Sequence, residues 1–157
     1  MTSLETILSA HDCSEWKFCI FADDMNEKGK GMYTFPKSEK LCSEKTISKV
    51  FSEGVSFVKY PLRVIYLTEE LSEGEEPVCR VLTSVPKKRF KRAVKRNRIK
   101  RLVREAYRLN KHILVDVNKS KRINISFVML DDKEPTFKQI RGAVVKSLER
   151  IADKLEL

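Results

Sequence analysis

Residues 93–108 read AVKRNRIKRLVREAYR, and the spacing of apolar and basic residues in this stretch decides what the surrounding chain must do. At about 100° per residue, the spacing predicts one long amphipathic helix over about 91–114. Its apolar face carries Ile99, Leu102, Val103, Ala106 and Ile113. Its opposite face carries six polar residues, five of them cationic: Asn97, Lys100, Arg101, Arg104, Arg108 and Lys111. We therefore expect one face to pack on a sheet and the other to present positive charge.

The positive charge of the chain is concentrated around this helix. The 157 residues include 32 Lys or Arg and 22 Asp or Glu, which gives a formal net charge of +10. Thirteen of the bases and one acid, Glu105, lie between Thr83 and Lys111, so this segment carries +12 and the remainder −2. Such concentration is typical of a face that binds a polyanion. A merely solvated basic face is the alternative, and a membrane-surface helix is disfavoured because the apolar face lacks Trp and Phe.

Outside this helix, the chain alternates predicted helices and strands. Ser43 as N-cap and Gly54 just past the end delimit a first helix at about 44–53. Thr136 and Gln139 form a capping box at the start of a last helix. Apolar and β-branched runs predict strands at 55–60, 62–67, 78–85 and 123–130. The order α-β-β-β-α-β-α indicates a single α+β domain with one sheet and helices packed on it.

The first 34 residues differ from the rest and predict a separate segment. Residues 1–34 are acidic on balance and end in a linker-like run, so we expect a poorly ordered N-terminal extension before one domain over 35–157. This extension resembles neither a secretory signal nor an Arg-rich transit peptide. No apolar run approaches the roughly 18 residues of a membrane helix. We therefore expect a cytoplasmic protein.

The sequence shows no pattern typical of catalysis or metal binding. His11 and His112 lie in the extension and at the end of the basic helix, and neither belongs to a known catalytic motif. The four cysteines, at 13, 19, 42 and 79, lack the two-residue gap of a zinc or redox motif, so we expect free thiols. A stand-alone nuclease would require clustered acids or histidines, so this hypothesis is disfavoured.

The 16 residues quoted above resemble the signature of the bacterial ribonuclease P protein family. The centre of the pattern is Arg96-Asn97-Arg98, which is followed by Lys100, Arg101 and Arg104. Three other segments resemble the family in the same order: 47–54 its first helix, 63–66 a core strand, and 81–88 the strand and basic loop before the long helix. The resemblance covers about residues 35–155.

This resemblance implies a protein subunit of ribonuclease P, accessory to a catalytic RNA that removes the 5′ leader of precursor tRNA. It implies a central four-stranded sheet with a left-handed βαβ crossover, a fold shared with a ribosomal protein domain. The implied partners are the catalytic RNA and precursor tRNA, with no membrane and no evident protein partner. No cofactor is implied for the protein alone, and Mg²⁺ is implied for the RNA holoenzyme.

The resemblance also implies two sets of binding residues and no catalytic residue on the protein. In a cleft between the first helix and the sheet, the single-stranded leader would contact Ile47, Phe51 and Tyr66. The catalytic RNA would contact Lys87, Lys88, Lys91, Lys95, Arg96, Asn97, Arg98, Lys100, Arg101, Arg104 and Arg108.

Two alternatives stay open at this point. A ribosomal or general nucleic-acid-binding module would also carry a basic amphipathic helix, although the Arg96-Asn97-Arg98 context favours ribonuclease P. Phe51 and Tyr66 also suit simple core packing. The chain departs from the family pattern at Ile47, where an aromatic residue is common, and at 89–92, where many members have a glycine.

Overall fold

The computed structural model describes residues 34–71 and 74–155. Within these ranges, four strands cover Val55–Lys59 (β1), Leu62–Glu70 (β2), Cys79–Ser84 (β3) and Lys121–Met129 (β4). Four helices cover Glu44–Glu53 (α1), Ala93–Asn110 (α2), His112–Val115 (α3) and Phe137–Leu155 (α4), and a 3-10 turn covers Lys37–Glu39. The predicted order of elements is confirmed, with the 3-10 turn and the short α3 as additions.

The strands form one mixed sheet in the order β1-β2-β4-β3. β2 pairs antiparallel with both β1 and β4, whereas β3 pairs parallel with β4. A parallel pair needs a crossover connection, and here α2 and α3 supply it between β3 and β4. The predicted α+β class with a central four-stranded sheet is confirmed, and the hand of the crossover stays a prediction.

The two faces of the sheet differ in composition. One face forms the main core under α2 and α4, and its side chains are almost all apolar: Phe57, Leu62, Val64, Tyr66, Cys79, Val81, Ile123, Ile125, Phe127 and Met129. On the other face, α1 covers a smaller cluster of Leu41, Val50 and Ile65. Because side chains alternate along a strand, Asn124 and Ser126 lie on this second face, which we call the α1 face.

Helix α1 occupies the residues predicted for it, and a steric requirement selects glycine at its end. Gly54 has φ −70°, so a left-handed conformation is not the reason for glycine here. A Cβ atom at this position would overlap the carbonyl oxygen of Val50 and would lie 2.8 Å from Cγ2 of Ile65. Glycine therefore allows the end of α1 to approach β2 closely.

The helix ends show one prediction confirmed and one revised. The Thr136 N–H donates to Oε1 of Gln139 at 3.0 Å and the Gln139 N–H donates to Oγ1 of Thr136 at 3.4 Å, which confirms the capping box. The basic helix is shorter than predicted, at 93–110 rather than 91–114. Near its end, the Asn110 side-chain amide donates to the carbonyl oxygen of Ala106 at 2.7 Å, and the chain continues into α3.

Residues 34–41 lie along the β3 edge of the sheet. The Leu41 N–H donates to the carbonyl oxygen of Val81 at 3.1 Å, and Lys40 forms a parallel bridge with Val81. Phe35 packs edge-to-face on Tyr107, with ring centroids 5.7 Å apart. These contacts tie the segment to the domain. Residues 1–33 of the predicted extension lie outside the described residues, so its poor order stays a prediction.

Candidate nucleic-acid interface

Helix α2 divides into two opposed faces, as its sequence predicts. Its buried residues are Ile99, Leu102, Val103, Ala106, Tyr107 and Asn110, and all but Asn110 belong to the main core. Arg101 and Arg104 on the opposite face are exposed to solvent, and Lys100 beside them is half-buried. The apolar face therefore holds α2 in the core, while the opposite face is largely open to solvent.

A set of cations on this outer face and in the preceding loop has no acidic partner in the described part of the chain. Asn97, beside them on the helix, is exposed. The unpaired cations are Lys87, Lys88, Lys91, Arg92, Lys100, Arg101 and Arg104. We call these seven residues the open basic surface. Charges left without internal partners are available to an external polyanion.

Arg96 has an internal use that the sequence did not predict. One guanidinium nitrogen, Nη1, donates to the carbonyl oxygens of Phe90 at 2.8 Å and Lys91 at 2.7 Å. The side chain is half-buried as a result. Arg96 therefore holds the loop before α2 against the helix, and its direct contact with RNA stays a prediction.

Three cations of the predicted RNA-binding set, together with neighbouring Arg89, are paired with acids inside the protein. Arg89 pairs with Asp132 at 3.0 Å, and Arg108 pairs with Glu105 at 2.7 Å. Lys95 Nζ lies 2.6 Å from Oε1 of Glu134, and Arg98 Nη1 lies 3.7 Å from Oε2 of the same carboxylate. The hydrogen bond from Lys95, and the charges of Lys95 and Arg98, hold the pKa of Glu134 below its ordinary value.

Lys111 is buried, although the helical wheel places it on the exposed outer face. The residue is only 5% exposed. Its Nζ donates to Oε1 of Glu39 at 2.6 Å and to the carbonyl oxygen of Thr34 at 2.7 Å. Lys111 keeps helical backbone dihedrals (φ −63°, ψ −23°), so it is buried because residues 34–39 lie against it. Lys111 anchors residues 34–39 instead of facing a partner.

The surface of α1 brings together two of the three predicted leader contacts. Ile47 and Phe51 lie one turn apart on α1. Ile47 is half-buried against the cluster of Leu41, Val50 and Ile65, whereas Phe51 is 47% exposed. Two further exposed apolar residues, Val55 and Val58, lie in β1, which follows Gly54 in the chain. About half of the Phe51 ring is therefore exposed to solvent rather than packed in the core.

Tyr66 lies elsewhere, and this corrects the predicted grouping. It is 7% exposed and belongs to the main core, on the face opposite to α1. Its ring packs edge-to-face on Phe57, with centroids 6.1 Å apart. Strand alternation directs its neighbours Ile65 and Leu67 toward α1 instead. The core-packing alternative therefore describes Tyr66, and the ring is not available for stacking on a base.

The α1 face of β4 carries polar residues that were not predicted as part of a site. Asn124 and Ser126 are fully buried, yet Oδ1 of Asn124 and Oγ of Ser126 have no hydrogen-bond partner among the described residues. Asn124 donates through Nδ2 to Glu69 at 3.3 Å. The alternation of polar and apolar residues in 123–127 was the available signal. The contact between α1 and the sheet is therefore partly polar and incompletely satisfied.

Among residues 34–71 and 74–155, no group of three or more His, Cys, Asp or Glu side chains could hold a metal ion. Cys42 is exposed and Cys79 is buried, and both are free thiols as predicted, while Cys13 and Cys19 lie outside the described residues. Burial raises the pKa of the Cys79 thiol to about 11. No helix in the described part of the chain has the length and hydropathy of a membrane span.

Comparison with known proteins gives consistent family matches. A family model described as Ribonuclease P matches residues 35–152, which include all the strands and most of α4. Proteins named ribonuclease P protein component from two strains of Porphyromonas gingivalis are 52% identical over 118 residues, covering 74% of this chain and 85% of theirs. The protein of the same name from Clostridioides difficile is 34% identical over 117 residues, covering 74% of this chain and 94% of that protein.

Solved structures match the fold. The RNase P protein from Thermotoga maritima superposes with a TM-score of 0.56 and 24% identity, covering 71% of this chain and 96% of that chain. The RNase P protein of Staphylococcus aureus gives a TM-score of 0.54 and 23% identity, covering 74% and 96%. At this level of identity the likeness concerns the fold.

Proposed function

The chain belongs to the ribonuclease P protein family, and from this premise we propose how its described surfaces serve the enzyme. The protein is the accessory subunit of an endoribonuclease ribonucleoprotein that forms the mature 5′ end of tRNA, and it associates with the RNA of that enzyme. We propose that the open basic surface binds the backbone of this RNA. We propose further that α1 binds the single-stranded leader of precursor tRNA.

The observation that carries the first proposal is that the seven cations of the open basic surface have no acidic partner within residues 34–71 and 74–155. A cation that neutralises an RNA phosphate releases condensed counterions, so its contribution to affinity decreases with salt. Arg101 and Arg104 can each hold a phosphate through two parallel hydrogen bonds, whereas Lys100 acts as a point charge. Exposed Asn97 can add a hydrogen bond beside them. Arg96 supports this surface by holding the loop that carries Lys91.

The second proposal depends on the exposed ring of Phe51. Aromatic rings bind single-stranded nucleic acid because any base can stack on them, at about 1–3 kcal/mol per base. Ile47, one turn earlier, supplies an apolar contact but no stacking surface. Tyr66 is not part of this proposal, because it lies in the core on the other face. Precursor tRNA would thus meet a surface separate from the open basic surface.

We propose that the Mg²⁺ ions of the reaction are held by RNA rather than by this subunit. The described residues do not fit a metal site of their own. Positive charge at the protein surface would substitute for part of the Mg²⁺ that otherwise neutralises phosphates around the active RNA. We place this activity in the cytoplasm, where bacterial precursor tRNA is transcribed.

The test is cleavage of precursor tRNA by the cognate catalytic RNA at low Mg²⁺, with and without the full chain. We expect cleavage at the mature 5′ end only when the protein is present. The triple variant Lys100→Gln, Arg101→Gln, Arg104→Gln should bind the RNA about 30-fold more weakly at moderate salt. The slope of log Kd against log salt concentration should decrease by about 2.7, since each of the three lost phosphate contacts removes about 0.9 from this slope.

A matched control removes the same charge from α4, where Lys138, Arg141 and Lys146 are exposed. Substitution of these three residues by Gln should change RNA affinity much less. Equal losses in the two triple variants would show that net charge, rather than the open basic surface, determines binding. Binding of RNA with no effect on cleavage would favour a general RNA-binding module.

A further inference from the structure

The loop between β4 and α4 places acids against the first turns of α2. Asp131, Asp132 and Glu134 occupy three of the five positions from 131 to 135. Glu134 reaches Lys95 and Arg98, and Asp132 reaches Arg89. These contacts separate the basic region into the open basic surface, which has no acidic partner among the described residues, and a paired part next to the loop.

The position of Glu134 is that of an anion bound between two cations. Lys95 and Arg98 are three residues apart, so their side chains are neighbours on the surface of the helix. One oxygen of the Glu134 carboxylate lies 2.6 Å from Nζ of Lys95, and the other lies 3.7 Å from Nη1 of Arg98. A phosphate oxygen of RNA would satisfy the same two cations. The carboxylate therefore occupies a place where a phosphate of RNA could bind.

The loop is held in position independently of these ion pairs. The Asp131 carboxylate accepts hydrogen bonds from the Tyr60 hydroxyl and from the N–H groups of Asp132 at 2.7 Å and Lys133 at 3.2 Å. Pro135 is buried, and the capping box at Thr136 fixes the start of α4. The acids are thus presented by a supported loop and stay near α2 even when their partners move.

The ion pairs themselves are weak enough to exchange. Lys95 and Arg98 expose 48% and 61% of their side chains, and Glu134 exposes 32%. Ion pairs at such exposure contribute little to stability and are screened by salt. RNA, which offers several phosphates at once, can displace the carboxylates without unfolding the loop.

We propose that residues 131–134 act as an internal competitor for RNA, with Glu134 occupying a phosphate position between Lys95 and Arg98 until RNA replaces it. This inference rests on the proposed binding of the catalytic RNA. Competition lowers the affinity for every polyanion that uses Lys95 and Arg98, and a polyanion that cannot also engage the open basic surface has no other contacts to offset this loss. The loop therefore sets how strongly, and how selectively, the basic region binds RNA.

The test compares Glu134→Gln with Glu149→Gln in the full chain. Glu149 is an exposed acid on α4, so the control removes the same charge away from α2. Binding of the catalytic RNA is measured over a range of salt concentrations. Glu134→Gln should bind about three- to fivefold more tightly at low salt, since an exposed pair accounts for no more. Its log Kd should depend on log salt more steeply by about 0.9, because one more cation is free to neutralise a phosphate.

A second variant ties the effect to the cation pair. In a Lys95→Gln background, the gain in RNA affinity from Glu134→Gln should shrink to nearly that from Glu149→Gln. In the otherwise unmodified chain, Asp132→Asn should give a smaller gain in RNA affinity, because it frees Arg89 alone. Equal affinity of Glu134→Gln and Glu149→Gln would overturn the proposal. Weaker binding by Glu134→Gln would also overturn it, because Glu134 would then orient the cations for RNA. Failure of the unmodified chain to bind the catalytic RNA would instead overturn the proposed function.

Discussion

Helices α1 and α2 attach to opposite faces of the same sheet in different ways. α2 buries six residues, five of them in the main core, and carries its cations on the other face. α1 buries Val50 fully, with Ile47 half-buried beside it, and it covers the unsatisfied Asn124 and Ser126. Binding residues can therefore change on α2 without loss of the fold. On α1, Ile47 contributes both to the packing and to the proposed binding surface, whereas the exposed Phe51 contributes mainly to binding.

The largest effect should come from the cation that faces inward. Lys111→Met leaves the Glu39 carboxylate, whose side chain is only 18% exposed, without its partner, and this should lower the free energy of unfolding by about 3 kcal/mol, the lower end for a buried pair. Arg104→Met, on the outer face of α2, should leave stability within about 0.5 kcal/mol and weaken RNA binding. Urea unfolding of both variants measures the difference. Equal stability would show that Lys111 belongs with the outward cations.

The second largest loss of stability should come from a substitution at the contact between α1 and the sheet. Gly54→Ala places a methyl group against the carbonyl oxygen of Val50 and against Ile65, and we expect a loss of about 1–3 kcal/mol in stability. Gly142→Ala is the matched control, since Gly142 lies in the exposed face of α4 with nothing within 4 Å of the added carbon. This control should gain about 0.5–1 kcal/mol. Thermal unfolding of the two variants measures these changes. An increase in stability in both variants would contradict the steric argument.

Phe51→Ala should separate binding from folding on α1 itself. Because the ring is about half exposed, we expect a stability change of about 0.5 kcal/mol and about tenfold weaker binding of precursor tRNA, the lower part of the range for one stacked base. Binding of mature tRNA, which has no leader, should not change. Val115→Ala, another exposed apolar residue, serves as control. Equal losses with and without the leader would place Phe51 outside a leader site.

The smallest effect concerns acid pH. The hydrogen bond and ion pair with Lys95 lower the pKa of Glu134 in the folded protein. The ion pair therefore contributes its full stability above the pKa of this carboxyl in the unfolded chain. This contribution is lost as the pH falls through the pKa of Glu134 in the folded protein. Between roughly pH 5 and pH 3, the unmodified chain should lose slightly more thermal stability than Glu134→Gln. Parallel curves of Tm against pH for the two proteins would contradict a lowered pKa at this position.

The sequence predicted which face of α2 is buried more accurately than it predicted the surroundings of individual side chains. Apolar residues at helical spacing identified Ile99, Leu102, Val103 and Ala106 correctly, because one face alone is covered. In β2 the run Val64-Ile65-Tyr66-Leu67 is apolar throughout, since both faces of the sheet are covered, so alternation could not assign Tyr66 to a face. The internal roles of Arg96 and Lys111 depend on carbonyl oxygens and an acid brought close by the fold, and such partners leave no periodic signal.

The position of β4 has a consequence for synthesis of the chain. β4 lies between β2 and β3, although it follows both of them in the chain. A chain translated only as far as Asn110 would contain the β1–β2 hairpin, β3 and the whole basic helix, but not the strand that joins them. On the ribosome, the cations of α2 therefore emerge into an RNA-rich surrounding before the sheet that buries the other face of that helix can be completed.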